Sequence, residues 1–281
     1  MIEEINKISA IKIISETGTE GSSPLYVLCD DFKRYYVKTT SKDIPRRELI
    51  NEIICSYFLK IWGLKVPKLA LVKIDNDVVD AYVSENGSLS KRYKSSSFDG
   101  YFVGFEEVAP AFELDEYIVS LKNKHKWNQF NNPLDLIKIG IFDAWVCNMD
   151  RMPKNPNILI HSNGEGFDFI PIDNAASFAY ISDYKRLNSA ILHLEENKLI
   201  LNIPVASSII KFVPDKALQE LNKEILLCIS KCQEFMDDIF NQVPREWGFS
   251  KKARAKVKVL LGDYERNVVT SKRYYPYLKK K

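Results

Sequence analysis

The sequence predicts an α+β fold in two parts, a small β-rich lobe over residues 1–110 and a larger, mainly helical lobe over 111–281. Three observations carry this. Short runs of β-branched and aromatic residues, punctuated by turn residues, fill the first third. From about residue 113 the apolar residues recur mostly at helical spacing. Between the two lies "NGSLSKRYKSSSFDG", residues 86–100, a Ser- and Gly-rich connection.

The elements follow in order. "AIKIIS" (10–15) and "PLYVLCD" (24–30) read as strands separated by "ETGTEGSS", a loop of small residues with two glycines. "RYYVKTT" (34–40) is a third strand, joined to the second as a hairpin through "CDDFKRYY". "RRELINEIICSYFLKIWGL" (46–64) places Leu49, Ile53, Tyr57, Leu59 and Ile61 on one side of a helix that Gly63 ends. "VPKLALVKI" (66–74) and "DVVDAYVSE" (77–85) read as two further strands, and "YFVGFEEVAPAF" (101–112) closes the first lobe as an apolar run. In the second lobe, "ELDEYIVSLKNK" (113–124) and "PLDLIKIGIFDAWVCN" (133–148) read as helices. "NILIHS" and "FDFIPID" flank the turn signal "NGEG" as a hairpin, and the remainder is helical with Pro breaks.

Composition limits the function. Hydrophobic content of 46% and charged content of 27% fit a globular domain with a real core. A net charge of +3, with signs mixed along the chain, gives no basic stripe for nucleic acid. No segment has the apolar length of a membrane helix, and the N-terminus lacks a signal-peptide pattern. Five scattered cysteines are odd in number and argue against a disulfide framework, so a reducing, cytoplasmic location is expected.

One stretch stands out. "FDAWVCNMDRMPKNPNILI" (142–160) passes from an apolar helix to an apolar strand through a knot of polar groups: Asn148, Asp150, Arg151, Lys154, Asn155 and Asn157. The hairpin brings Asn157 and Asp173 to one end of neighbouring strands, with Asp150 and Asn155 in the loop before it. Asp and Asn oxygens suit a hard cation such as Mg2+, and a carboxylate beside them can take a proton from an attacking hydroxyl. That is the equipment of phosphoryl transfer. In the first lobe, Lys38 ends a strand and Glu52 sits on the following helix, the pairing that holds nucleotide phosphates; Glu48 competes for the same role. Gly18, Gly21, Ser22 and Ser23 lie in the small-residue loop, whose backbone amides suit phosphate.

The set "YYVK", "LINEIICSYFLKIWGLKVPKLALVKI", "FDAWVCNMDRMPKNPNILI" and "FIPIDNAASF" resembles the HipA-like kinase family over most of the chain, including the tail "VPREWGFSKKARAKVKVLLGDYERN". The "D-R-x-x-x-N" core is also similar to the phosphatidylinositol kinases. The resemblance implies a two-lobed protein-kinase-like fold, ATP and Mg2+, and transfer of the γ-phosphate to a serine or threonine of a protein, often within a bacterial toxin–antitoxin system. Carried over by position, it makes Asp150 the catalytic aspartate, Asn155 and Asp173 metal ligands, Lys38 the phosphate-binding lysine and Glu52 its partner. Asn157 is a rival to Asn155, because "NPN" offers two amides. Arg151 and Lys154, beside Asp150, are candidates to steady the transferring phosphate. Backbone atoms of Glu106, Glu107 and Val108 are the expected meeting point with adenine.

Two departures are visible. Met152 stands where relatives often place a histidine, and Asn174–Ala175 where many kinases have an aromatic residue and glycine; neither removes a metal ligand. Some relatives autophosphorylate in the small-residue loop, so Ser22 and Ser23 are candidate acceptors. An intact mass raised by one phosphate after incubation with ATP is the expected sign, and an unchanged mass counts against it. The alternatives to an active protein kinase are an ATP-binding pseudokinase serving as an interaction module, and a kinase for a lipid or small molecule.

Overall fold

The computed structural model describes residues 2–17, 24–40, 45–89, 98, 100–114, 127–180, 183–191 and 204–273. Five strands close into a barrel in the order β1-β2-β3-β5-β4. β1 (Asn6–Glu16), β2 (Leu25–Cys29) and β3 (Arg34–Lys38) form an antiparallel meander. β5 (Tyr101–Glu106) pairs antiparallel with both β3 and β4 (Leu69–Lys73), and β4 returns parallel to β1 to close the ring. Closure requires pairing between residues about sixty positions apart, which local periodicity does not reveal.

Strand alternation sorts the side chains into two sets. Leu25, Val27 and Cys29 of β2, and Tyr35 and Val37 of β3, fill the barrel together with Ile13, Val72 and Phe102. Tyr26, Tyr36 and Lys38 therefore project from the outer face. Gly104 of β5 faces inward, where a Cβ would lie 2.4 Å from Val72 Cγ2; only glycine lets the two strands approach this closely.

Helix α1 (Arg46–Ile61) follows β3. Its residues from Glu48 to Leu59 are all buried, which fits a helix enclosed on several sides rather than an amphipathic surface helix. It ends as expected near Gly63, which has φ 72° and donates to the Lys60 carbonyl. The segment read as a strand at 77–85 is instead helix α2 (Asn76–Asn86). Its apolar residues Val78, Val79, Tyr82 and Val83 recur at spacings of three and four, not two. Asp75 leads into it, Asp77 sits in its first turn, and Gly87 ends it with φ 87°. It packs against β1, where Val79 joins the barrel-side core.

Beyond the barrel, β6 (Ala111–Glu113), β7 (Ile158–Ser162) and β8 (Phe167–Pro171) form an antiparallel sheet. The β7–β8 hairpin turns at Asn163–Gly166, where the Asn163 side chain accepts from the amides of Glu165 and Gly166, both at 3.0 Å. Helix α3 (Leu134–Val146) precedes it. Helices α4 (Pro204–Phe212), α5 (Asp215–Glu234), α6 (Met236–Asn241), α7 (Lys251–Gly262) and α8 (Tyr264–Ser271) complete the chain. The helix expected over 113–124 lies almost wholly outside the described residues, as do Gly18, Gly21, Ser22 and Ser23.

One large core joins these parts. Leu49, Ile53 and Phe58 of α1 pack with Phe142 and Trp145 of α3 and with Ile225 and Ile229 of α5. The Phe58, Trp62, Phe142 and Trp145 rings meet at centroid distances of 5.2–6.1 Å. Helix α1 thus shares its core with the C-terminal helices while one of its carboxylates reaches back to the barrel. All five cysteines are buried.

Candidate active site

Lys38 ends β3 on its outer face, and α1 brings Glu52 beneath it. The ammonium nitrogen lies 2.6 Å from Glu52 Oε1 and 2.8 Å from Asp173 Oδ1. Glu48, the competing carboxylate, is instead near Arg47 at 3.9 Å. Side-chain exposures of 9% for Lys38, 0% for Glu52 and 31% for Asp173 single out the aspartate as the member open to a ligand. Burial works against the lysine's charge, but the two carboxylates outweigh it and hold Lys38 above its ordinary range. Burial likewise tends to raise Asp173, and Lys38 overrides it, so this carboxyl stays ionised below the usual range. Glu52 is pushed up by burial, with Lys38 and the Asn174 amide at 3.0 Å opposing.

Asp150 is set by the end of α3. Cys147 turns left-handed, with φ 53°, and the Asn148 amide donates to Asp143 O. The Asn148 side-chain oxygen accepts the amide of Asp150 at 3.1 Å. Arg266 of α8 clamps the same helix end, donating to the carbonyls of Ala144 and Trp145 and to Cys147 Sγ. Asp150 Oδ2 then accepts the side-chain amide of Asn157 at 3.0 Å. Asn157, just before β7, shares the end of the hairpin with Asp173, because its carbonyl accepts the amide of Ile172 at 2.9 Å.

The polar knot therefore resolves unevenly. Asn155 is exposed, and its backbone exchanges hydrogen bonds of 2.9 and 3.0 Å with Met152. That tight turn carries it outward, so the amide at Asp150 is Asn157, not Asn155. Lys154 is exposed on the same turn. Arg151 corrects the expectation of a phosphate contact, since its guanidinium is buried and each of its three nitrogens already has a partner. It pairs with Asp143 and donates to Asn157 O at 3.3 Å, Ile172 O at 2.6 Å and Asn174 Oδ1 at 3.0 Å. It is a strut joining α3, the Asp150 loop and the strand that ends at Asp173. An aspartate inside the apolar run "GIFDAWV" was the available signal, because a buried carboxylate needs a partner.

On the barrel side, Tyr36 lies two residues before Lys38 and shares its face. Its ring stacks on Tyr26 with centroids 4.8 Å apart and planes 27° apart. Tyr36 remains 37% exposed, an aromatic surface beside the lysine. The Tyr26 hydroxyl donates to Glu107 Oε1 at 2.7 Å, and Lys33 bonds Glu106 at 2.8 Å. The amides of Glu106 and Glu107 donate to Lys68 O and Arg34 O, at 2.9 and 2.8 Å, so barrel pairing uses both. Of the three residues expected at adenine, Val108 is the one beyond that pairing. Sequence reading missed Tyr26 and Tyr36, although the period of two from Lys38 points to Tyr36.

Six of the seven non-glycine residues with positive φ among the described residues cluster here: Cys147, Asn157, Asp173, Phe178, Ala179 and Tyr180. Each such residue costs about 1–3 kcal/mol and persists only where its surroundings fix it, a pattern concentrated at functional sites.

A family profile described as HipA-like kinase matches residues 10–273. No curated protein sequence matches the chain. Among solved structures, a Helicobacter pylori proinflammatory kinase, CtkA, is 12% identical over 95% of each chain, with a TM-score of 0.55. A Golgi casein kinase is 11% identical over 100% of this chain and 73% of its own, with a TM-score of 0.51. A second structure of a Golgi casein kinase, with Mn and ADP bound, gives 11% identity over 100% and 74%, with a TM-score of 0.50. At these identities the structures speak to the fold, and that fold is a kinase's. The profile spans the barrel from residue 10 of its first strand, the Asp150 loop and the helices behind it, and by that match the chain belongs to the HipA-like kinase family.

Proposed function

We propose that this protein is an ATP- and Mg2+-dependent kinase that transfers the γ-phosphate to a serine or threonine hydroxyl of a protein. The observation that carries it is the joining of Lys38 to both Glu52 and Asp173, with Asp150 and Asn157 bonded to each other at the end of the same hairpin. In this reading the nucleotide lies in a cleft between a first lobe, to about residue 110, and the remainder.

The donor chemistry fits the metal. Asp173 and Asn157 offer oxygen, the ligand that Mg2+ prefers. Among the described residues no group of three or more His, Cys, Asp or Glu side chains is placed to hold a metal, so the nucleotide's phosphates would complete the shell. A solved Golgi casein kinase of this fold holds Mn and ADP together. When bound, the cation neutralises charge on the phosphate oxygens. The chain's own residues do the rest. Lys38 stays charged and holds the phosphates, the Tyr26–Tyr36 stack carries the base, and Val108 backbone meets its edge. Asp150, oriented by Asn148 and Asn157, takes the proton of the attacking hydroxyl. The family resemblance adds a cytoplasmic setting and an antitoxin partner.

Calorimetric titration with ATP, with and without Mg2+, tests the reading. Magnesium-dependent binding is expected, weakened at least tenfold in Asp173→Ala. Tyr36→Ala is expected to lose affinity for ATP about tenfold but to leave inorganic triphosphate binding within twofold, because base–aromatic stacking is worth about 1–3 kcal/mol. No magnesium-dependent binding by the wild-type protein defeats the proposal and favours an interaction module built on a kinase fold.

A further inference from the structure

Helix α1 does more than present Glu52. Its residues Arg47, Asn51, Glu52 and Cys55 recur at helical spacing along the side that meets the chain after Asp173. The buried Asn51 amide donates to Ala175 O at 2.7 Å and to Ser177 O at 3.0 Å. Its oxygen accepts the Tyr184 hydroxyl at 2.6 Å. One side chain thus bonds at three places on the segment through both its donor and acceptor atoms. Around it, Cys55 Sγ bonds Ser177 Oγ at 3.3 Å, and Arg47 donates to Tyr180 O while its guanidinium lies 4.8 Å from the Tyr180 ring centroid. The three left-handed residues Phe178, Ala179 and Tyr180 sit within this clasp, and the amide of Ala179 donates to Cys147 O at 2.9 Å.

We infer that Asn51 is a positioning residue, a latch that makes helix α1 and the segment after Asp173 move as one. Through it, the Lys38–Glu52 pair and the Asp173 carboxylate are set together, with no phosphorylated side chain needed in the described part of the segment. Arg151 is already engaged by Asp143, Ile172 and Asn174, so it is not waiting for an added phosphate. Burial pushes the Tyr184 hydroxyl well above the ordinary phenol range, which keeps it a donor at working pH. Asn51→Leu keeps the side-chain size but leaves two carbonyls and a hydroxyl without this partner, which favours release of the segment.

The latch rests on the reading of Asp173 as metal ligand only for its effect on magnesium; its structural half is independent. The experiment is amine acylation of the intact protein, read by mass spectrometry at Lys38, with the buried Lys138 as internal reference. In Asn51→Leu, Lys38 labelling is expected to rise at least threefold while Lys138 stays unchanged, because Asp173 no longer covers the ammonium. Tyr184→Phe is expected to give a smaller rise. Tyr57→Phe, on another face of α1 where its hydroxyl bonds Glu3 O, is expected to give none. The magnesium concentration giving half-maximal ATP binding is expected to rise about tenfold in Asn51→Leu. Equal rises at Lys38 and Lys138 mean general loosening, and no rise at Lys38 means no latch; either result overturns the inference. Wild-type protein that fails to bind Mg–ATP overturns the nucleotide reading instead, and the Lys38-to-Lys138 ratio still decides the latch.

Discussion

Asp150→Asn is expected to lower phosphate transfer by about 10²–10⁴-fold, the usual contribution of a positioned proton acceptor, while ATP affinity stays within about threefold. The amide keeps the side chain's shape and still offers an oxygen to Asn157, so the loop should hold its form. In the proposed mechanism it loses the capacity to take the hydroxyl proton as the new P–O bond forms. Asp150→Ala should be at least as inactive. Single-turnover transfer to a protein acceptor beside calorimetric ATP binding separates chemistry from affinity. Full turnover in either variant would move the proton acceptor elsewhere.

Arg151→Met is expected to destabilise the fold by about 3–5 kcal/mol, the range for removing one partner of a buried pair. Asp143 would remain inside helix α3 with its guanidinium gone. Burial already pushes the Asp143 carboxyl up to about 7, with Arg151 opposing that rise. A carboxyl raised on folding contributes stability that is present below its unfolded value near 4 and is lost as pH climbs through about 7. Removing Arg151 raises it further, so urea midpoints of the variant should fall more from pH 6 to pH 8 than those of the parent. Adding Asp143→Leu should recover most of the stability, because an apolar pair can replace a buried ion pair at little loss. Transfer activity should remain low in the double variant, since the ties to Asn157, Ile172 and Asn174 stay broken. A stable, fully active Arg151→Met would show that this strut holds neither the fold nor the site.

The legible and the illegible parts of this chain divide by range. Alternation within "LYVLC" and "RYYVK" is local, and it already assigns Lys38 and Tyr36 to one face. The β7–β8 hairpin is local too, and it puts Asn157 beside the chain that carries Asp173. Barrel closure is a long-range pairing, so the parallel return of β4 to β1 leaves no mark in either strand. Helix α2 was misread because valine-rich stretches favour strands, whereas its spacing of three and four and its Gly87 end decide for helix. Which of Asn155 and Asn157 bonds Asp150 turned on a four-residue turn whose direction is set by backbone bonds, not by side-chain type. Arg151 beside Asp150 looks like a phosphate ligand until Asp143, eight residues earlier, claims it.

The closed barrel has a consequence for recruitment by other chains. Each of its five strands has two neighbours within the ring, but β1 divides its pairing, Asn6–Ser9 with β4 and Ala10–Glu16 with β2, so each half of it meets a neighbour on one side only. Strand addition at β2, β3, β4 or β5 would have to displace a neighbour already in the ring. Among the described residues, the places where an added strand could still pair are the single-neighbour stretches of β1 and the margins of the small β6-β7-β8 sheet.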